Sequence, residues 1–597
     1  MPTLHDLLWD STVEILNFRL KLFKVKPASQ KKADCIEAIK QCYAGHGLSA
    51  VLASLNEMEK LAVAESCHAF GCRFDELRFK AKHGGVLRFH TGPKDDFQEY
   101  RYLNNPEFAT GVNLLLFREL RECCHSVPSD LAERLREFVP MPQDAEIKTL
   151  EKPEDENGLI LRLTGQEALS DLKAMLHLTE QGNLKVSEKT GMPSAAGSLA
   201  ILNCLTGGDF YPQDVALAAK SWSHEQQIGH IKPVAWALLL QNARWISHTG
   251  AKSKLSPAGI KALRQAPHDN IRALWNRWLP NSKNDEFNRV NDIKGQATKK
   301  HMTAKPPRRE AIVDALSDCP LGRWIDVEVF SNYIQATGLD FEITSNPWNL
   351  YLCEQRYGNF GFSGCGGWNV LQFRYILTLL FEYAATLGLI DIAYVHPDGS
   401  RDDFRGQWGA DDMKWLSRYD GLRAFRITDL GAYCLGLSDV FTPSQPVSLL
   451  KLSVLPNLSI RVVSGQPSPA DRLLLDTWAE PGTSLSWHLD PERATHAVER
   501  GQSARDFAAF LESADDQPMP QSVEGFFKAC ETNGTALRRK GDALVFDCRD
   551  GQTADMVCSR KELLGLCFRI GENGIVVPTE HEAKFRKVVR ELGLGIV

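Results

Sequence analysis

The sequence predicts a multi-domain protein, mainly α with α+β parts. Three observations carry this. The chain has 597 residues, several times the size of one domain. Its 43% apolar and 24% charged residues are ordinary globular usage. A plan of helix, hairpin and helix occurs twice, at 238–263 and at 380–435.

Residues 1–140 form a helical, basic N-terminal domain. From Leu16 to Ile39 the apolar positions Leu20, Leu22, Phe23, Val25, Cys35, Ile36 and Ile39 fit two short helices, with a break at Pro27–Ser29. Arg19, Lys21, Lys24, Lys26, Lys31 and Lys32 fall in this stretch with no acidic residue among them, so a helix-turn-helix edge able to hold phosphate is expected. Prolines 140, 142 and 153 among many acids mark residues 141–158 as a linker.

The internal repeat defines the next domains. At Leu238–Leu263 an apolar helix leads to a strand at Trp245–Ile246, a polar tip, and then Leu-Ser-Pro-Ala-Gly opening a helix. At Leu380–Leu435 the order recurs, ending on Ile427-Thr428-Asp429-Leu430-Gly431. In both, a Ser or Thr can cap the new helix and the strands before it can form a hairpin. That order predicts winged-helix-like domains at 159–280 and 310–447, in tandem.

The copies differ in chemistry. No acid occurs between Gln241 and Gln265, and Lys252, Lys254, Lys261 and Arg264 could lie on a phosphate backbone. The second copy carries six acids between Val395 and Gly421, together with Phe404, Trp408, Trp415 and Tyr419, a mixture suited to packing on a protein partner. Between the copies, 281–309 reads as a basic linker in which Lys299, Lys300, Lys305, Arg308 and Arg309 are further DNA-contact candidates.

From 448 to 597 a C-terminal α+β module is expected. Leu450–Val463 alternates as a strand and Pro469–Trp478 reads as a helix, with two more helices in 491–511. Strand 543–548, a helix near 554–564, strands 566–570 and 575–577 and a helix at 579–592 complete it.

The search for chemistry excludes most classes. No G-x-x-x-x-G-K-[ST], H-E-x-x-H, G-x-S-x-G or EF-hand loop occurs, so a helicase motor is not expected. The glycine-rich run Tyr357–Trp368 lacks the lysine of a phosphate loop and is filled with aromatics. Cysteines number 15, without a C-x-x-C pair, which suits reduced thiols; no metal or other cofactor is expected. Asp285-Glu286 and Asp402-Asp403 read as surface charge. The segment Tyr375–Tyr394 is interrupted by Glu382 and Asp391, too polar to face lipid, and the N-terminus lacks an export signal, so a cytoplasmic location is expected. A net charge of −6 leaves nucleic-acid binding to local patches.

The C-terminal module resembles the helicase-associated domain related to the N-terminal region of XPB-type repair helicases. The resemblance rests on Leu452-Ser453-Val454-Leu455-Pro456-Asn457-Leu458, Trp487-His488-Leu489, Arg493-Ala494, Glu499-Arg500-Gly501, Phe510-Leu511 and Pro518-Met519-Pro520-Gln521-Ser522-Val523. Residues 160–440 resemble long bacterial proteins that share this ending, through Asp285-Glu286-Phe287, Ile293-Lys294-Gly295-Gln296 and Ser417-Arg418-Tyr419-Asp420-Gly421-Leu422. Lys32–Ile39 is weakly similar to a SAP-type DNA-binding motif. The resemblance implies contact with DNA, or with a separate helicase or nuclease subunit acting on it, in bacterial DNA repair or antiviral defence. The expected function is therefore a non-catalytic DNA-binding accessory subunit. The alternatives are a protein-binding scaffold or regulatory subunit and an unrecognised metal-dependent nuclease.

Overall fold

The first forty residues fold where their apolar spacing and caps direct them. Thr12 accepts from the Ile15 N–H to open the helix Val13–Phe23, which ends at Lys24 in a left-handed conformation, φ 56°. Pro27 cannot extend it, and Lys32–Cys42 forms the next helix. Leu16, Leu20, Cys35, Ile36 and Ile39 close one core together with Leu4, Leu8, Val63 and Leu131. This is a computed structural model, and it describes residues 2–91, 106–119, 124–187, 189–212, 226–249, 252–296, 301–362, 367–442, 450–534, 536–537 and 541–597.

The chain is multi-domain, with helices and several small sheets. Two units separate, Met1–Ser448 with Gln466–Leu474, and Leu449–Gly465 with Leu475–Val597. Among the described residues the first unit holds an N-terminal core, a larger one running from Ala168 to Cys434 and on to Ala470, and a small cluster of Trp324, Ala393 and Ala424. Both repeat copies contribute to the larger core. So does the segment expected to be a basic linker, through Phe287, Val290 and Ile293, each at most 2% exposed.

Twice in this unit a short strand after a helix pairs with the second arm of a later hairpin, and once a single backbone hydrogen bond stands where that pairing would be. In the N-terminal part, helix Glu57–His68 leads to β1 (Arg73–Phe74) and helix Glu76–His83. The hairpin of β2 (Phe117–Glu119) and β3 (Cys124–Ser126) then gives the sheet order β1-β3-β2. β4 (Ile160–Arg162) precedes the first repeat copy. There, helices Thr164–Glu180 and Ala195–Cys204 flank Leu184, whose carbonyl accepts from Ser253 in the hairpin of β5 (Ile246–Thr249) and β6 (Lys252–Leu255). In the second copy, helix Lys305–Ser317, β7 (Ile325–Asp326) and helix Val327–Thr337 precede β8 (Ile390–Tyr394) and β9 (Leu422–Ile427). These strands and β4 form one sheet, in the order β4-β8-β9-β7.

The helix-to-hairpin corners match atom for atom. Ser256 donates its N–H to the Trp245 carbonyl at 2.8 Å and its hydroxyl to the Arg244 carbonyl at 2.8 Å, then accepts from the Gly259 N–H at 3.2 Å. Thr428 repeats this with Leu389 at 3.0 Å, Gly388 at 2.7 Å and Gly431 at 2.9 Å. A Cβ on Gly259 would stand 2.3 Å from the Trp245 oxygen, and one on Gly431 would stand 1.9 Å from the Leu389 oxygen, so both must be glycine.

The helix before each hairpin is enclosed. In Lys232–Asn242 every residue through Leu240 is buried, and the second equivalent, Gln372–Thr378 running into a π-helical turn at Leu379–Ala384, is buried throughout. These two segments pack against each other.

In the second unit, Leu450–Val463 is a hairpin rather than one strand. β10 (Lys451–Val454) and β11 (Ser459–Ser464) are joined by a turn in which Leu458 has φ 66°. Helix Pro469–Trp478 follows, counted with the first unit as far as Leu474, and β12 (Ala479–Pro481) and β13 (Ser486–Leu489) complete the order β10-β11-β13-β12, accompanied by helices Pro491–Glu499, Ala504–Ala514 and Gln521–Gly534. The end of the chain has its own small core. Val557, Leu563, Ile575, Val577 and Phe585 meet beside the sheet β14-β16-β15 (Ala543–Asp547, Gly574–Pro578, Phe568–Ile570). Among the described residues no helix is long and apolar enough to cross a membrane.

Candidate nucleic-acid interface

The turn between helices Val13–Phe23 and Lys32–Cys42 sorts its cations by the faces those helices bury. Leu16 and Leu20 face the core, and Arg19 lies on the same side. Its Nη1 donates to the Asn113 carbonyl at 2.7 Å, and its guanidinium sits 3.4 Å from the centroid of the Phe117 ring. At 5% exposure Arg19 is a core residue, and burial holds its pKa below the usual arginine value. Its expected role as a phosphate ligand is corrected accordingly.

Lys21, Lys24, Lys26 and Lys31 are exposed. Lys32 is half-buried, with its ammonium 5.6 Å from the centroid of the Trp9 ring, and Trp9 itself is 56% exposed. The site thus combines four solvated ammonium groups around one proline turn with an exposed indole beside a fifth.

A second group lies at the first hairpin and the helix after it. Lys254 is exposed in β6, opposite Ser247, and Lys261 and Arg264 are exposed on and just past helix Pro257–Leu263. Lys252 pairs with Thr249 in the register, while residues 250–251 at the tip lie outside the described residues. His248 bonds Ser253 Oγ at 3.1 Å and Gln241 Oε1 at 3.2 Å, which ties the hairpin to the helix before it.

The third group dissolves. Lys299 and Lys300 lie outside the described residues, and Lys305 is half-buried at the start of its helix. Arg308 and Arg309 are 1% and 0% exposed. Arg308 Nη1 is 3.0 Å from Asp285 Oδ1, and Arg309 Nη2 is 2.6 Å from Glu286 Oε1. Two neighbouring arginines therefore neutralise the two neighbouring acids that read as surface charge. Neither can reach a phosphate.

The aromatic excursion also turns inward. Phe404 and Tyr419 are fully buried and Trp415 is 5% exposed, all within the chain's own fold, so none of these three presents itself to a partner. Trp408 alone of the four is exposed, at 52%, with its ring 5.5 Å from that of the exposed Tyr357. In the glycine-rich run, Gly361 packs on the Trp348 indole, and residues 363–366 lie outside the described residues.

Among the described residues no group of three or more His, Cys, Asp or Glu side chains is placed to hold a metal ion. Sequence reasoning passed over the arginines of the interior, Arg289, Arg374, Arg401 and Arg418. The signal available was the segment Ser417–Leu422, whose Asp420 accepts from the Leu416 and Ser417 N–H groups at 2.9 and 3.1 Å and pairs with Arg374 at 3.0 Å. A comparison with protein-family models finds none that matches the chain, and a comparison with curated proteins finds no match either.

Proposed function

We propose that this chain is a non-catalytic accessory protein that binds the DNA backbone through the Lys21–Lys32 turn and the β5–β6 hairpin, alongside a separate helicase or nuclease in bacterial DNA repair or antiviral defence. The observation that carries the reading is the exposure of Lys21, Lys24, Lys26 and Lys31 around one turn with no acid between them. Four such charges release condensed counterions from a duplex whatever its sequence.

The order of helix, strand, helix, helix and hairpin in the second copy, matched in the first with Leu184 bonded to the hairpin in place of a strand, supports a winged-helix reading of both copies, with Lys232–Asn242 and Gln372–Ala384 in the place of recognition helices. In a groove-reading winged helix that element meets base edges. Here both are buried, which favours contact with phosphates at the periphery over sequence readout. The test is duplex binding over a salt series. A steep salt dependence that flattens in a variant with all four lysines changed to Glu supports the reading, and salt-independent or absent binding refutes it.

A second reading, a protein-binding scaffold or regulatory subunit without DNA contact, is favoured by the net charge of −6. It predicts no duplex binding at low salt.

A further inference from the structure

Arg418 is 7% exposed, and among the described residues its guanidinium has no hydrogen bond and no ion pair. The acids nearest in its field are engaged elsewhere. Glu382 receives Arg289 Nε at 3.0 and 2.9 Å and the Tyr419 hydroxyl, while Asp292 Oδ2 receives Gln226 Nε2 at 2.7 Å. A buried cation without a counter-charge is costly in a folded protein, because desolvation is not offset. Burial and then the neighbouring Arg289 depress its pKa, as expected for an uncompensated charge.

The guanidinium borders a cavity of about 280 Å³, also lined by Arg289, Gln226, Asp292 and Ser417. The loops are shaped around it. Gly229 has φ +67°, and a Cβ there would stand 2.8 Å from Arg418 Nη1. Gln226 clips the wall together, donating to Asp292 and to the Trp415 carbonyl at 2.8 Å and accepting from the Lys414 N–H at 2.7 Å. On the far wall, Asp420 holds the Leu416–Ser417 turn that aims Arg418 inward.

We infer that this cavity is an anion site that takes a phosphate monoester, with the Arg418 fork as its principal ligand; Arg289, whose charge is balanced by Glu382, lines the wall beside it. A planar guanidinium with its donors unused matches two oxygens of a tetrahedral phosphate. The volume admits a phosphate and little beyond a small group attached to it. Asp292 on the same wall works against the anion, so the site is tuned for moderate affinity. The inference does not depend on the DNA-backbone reading, because the cavity lies apart from the lysine turn and is tested with small ligands.

The experiment is calorimetric titration and thermal melting of the full chain with inorganic phosphate, a nucleoside 5′-monophosphate, and short single strands carrying a 5′-phosphate or a 5′-hydroxyl. Binding of inorganic phosphate together with the mononucleotide marks a free small ligand, and preference for the 5′-phosphorylated strand marks a strand end; either supports the site. Arg418→Met should weaken binding about tenfold or more, while the ligand-free variant melts no lower than the parent. Asp292→Asn should tighten binding, a change that a purely structural role for this cluster would not produce. If Arg418→Met does not fold, Arg418→Lys, which keeps the charge and loses the fork, should still weaken binding. No binding of any phosphate by the parent, or unchanged affinity in Arg418→Lys and Asp292→Asn, overturns the inference.

Discussion

Arg309 Nη2 lies 2.6 Å from Glu286 Oε1, and neither side chain has exposed surface. Tyr375 donates to the other Glu286 oxygen at 2.8 Å, and Arg309 Nη1 donates to the Trp278 carbonyl at 2.7 Å, so the pair is tied to two further segments. Removing one charge strands the other in the core. Arg309→Met or Glu286→Gln should each cost about 3–5 kcal/mol. The double variant Arg309→Met with Glu286→Leu should recover part of that loss, read from urea midpoints.

At the basic turn, single Lys→Glu changes at Lys21, Lys24, Lys26 or Lys31 should weaken duplex binding without altering melting temperature. Each lost phosphate contact should lower the slope of log K against log salt by about one unit. Arg19→Glu, in contrast, should unfold the N-terminal core, because Arg19 is buried against Phe117.

The corner glycines give a third prediction. Gly431→Ala places a methyl group 1.9 Å from the Leu389 carbonyl oxygen, and Gly259→Ala one at 2.3 Å from that of Trp245. Each should destabilise by about 1–3 kcal/mol or more through forced backbone movement. Gly399→Ala provides a contrast, since it meets no atom within 4 Å and has only its φ of +65° to accommodate.

His125 stacks on Phe89 with ring centroids 3.8 Å apart, and burial, then Arg118 and Arg19, hold its pKa down to about 4. A depressed histidine is neutral in the folded state while the unfolded chain takes up a proton below about 6.5. Stability from this group is therefore complete above pH 6.5 and declines as pH falls toward 4, by about 3 kcal/mol in all. Melting between pH 7 and pH 4.5 should show the decline, and His125→Gln should flatten it.

Of the four aromatics in the acidic excursion, Tyr419→Ala and Phe404→Ala should cost about 3–5 kcal/mol, whereas Trp408→Ala should cost less than about 1 kcal/mol. The comparison separates an interior wall from a surface ring, and thermal melting reads it directly.

How legible these features are in sequence depends on how local their causes are. The two helices flanking Pro27, the serine and threonine caps at 256 and 428 and their glycines three residues on are set by neighbours in the chain, and the sequence displays them. A further corner was missed. Ser194 caps a helix with Gly197 three residues later, and a Cβ on Gly197 would stand 2.2 Å from the Lys185 carbonyl oxygen, yet its hairpin is only the single bridge Val186↔Pro193. The pairing of β1 with β3 and of β7 with β9 joins residues roughly 50 to 100 positions apart, beyond any periodicity.

Charge runs misled for a related reason. Lys24 and Arg309 look alike in a list of basic residues. Only the return of the chain, which brings Asp285 and Glu286 beneath Arg308 and Arg309, distinguishes a solvated cation from a buried one. Arg418 stands in the sequence only within the string Ser417–Leu422, because an arginine in a turn carries no pattern, and that it meets no partner among the described residues is a property of the folded surroundings.

The strand β4 sets a schedule for making this protein. It pairs with β8, and the Thr164 N–H just past it donates to Asp391 across 227 positions of chain. At a ribosomal rate of about 5–20 residues per second, this edge waits on the order of ten to forty seconds for its partner to be synthesised. During that interval Ile160 and Leu161, still 40% and 56% exposed in the finished fold, have no strand to pair with. Codon usage between 165 and 390, and the chaperones that meet the chain there, thus bear directly on how much of it reaches the native state.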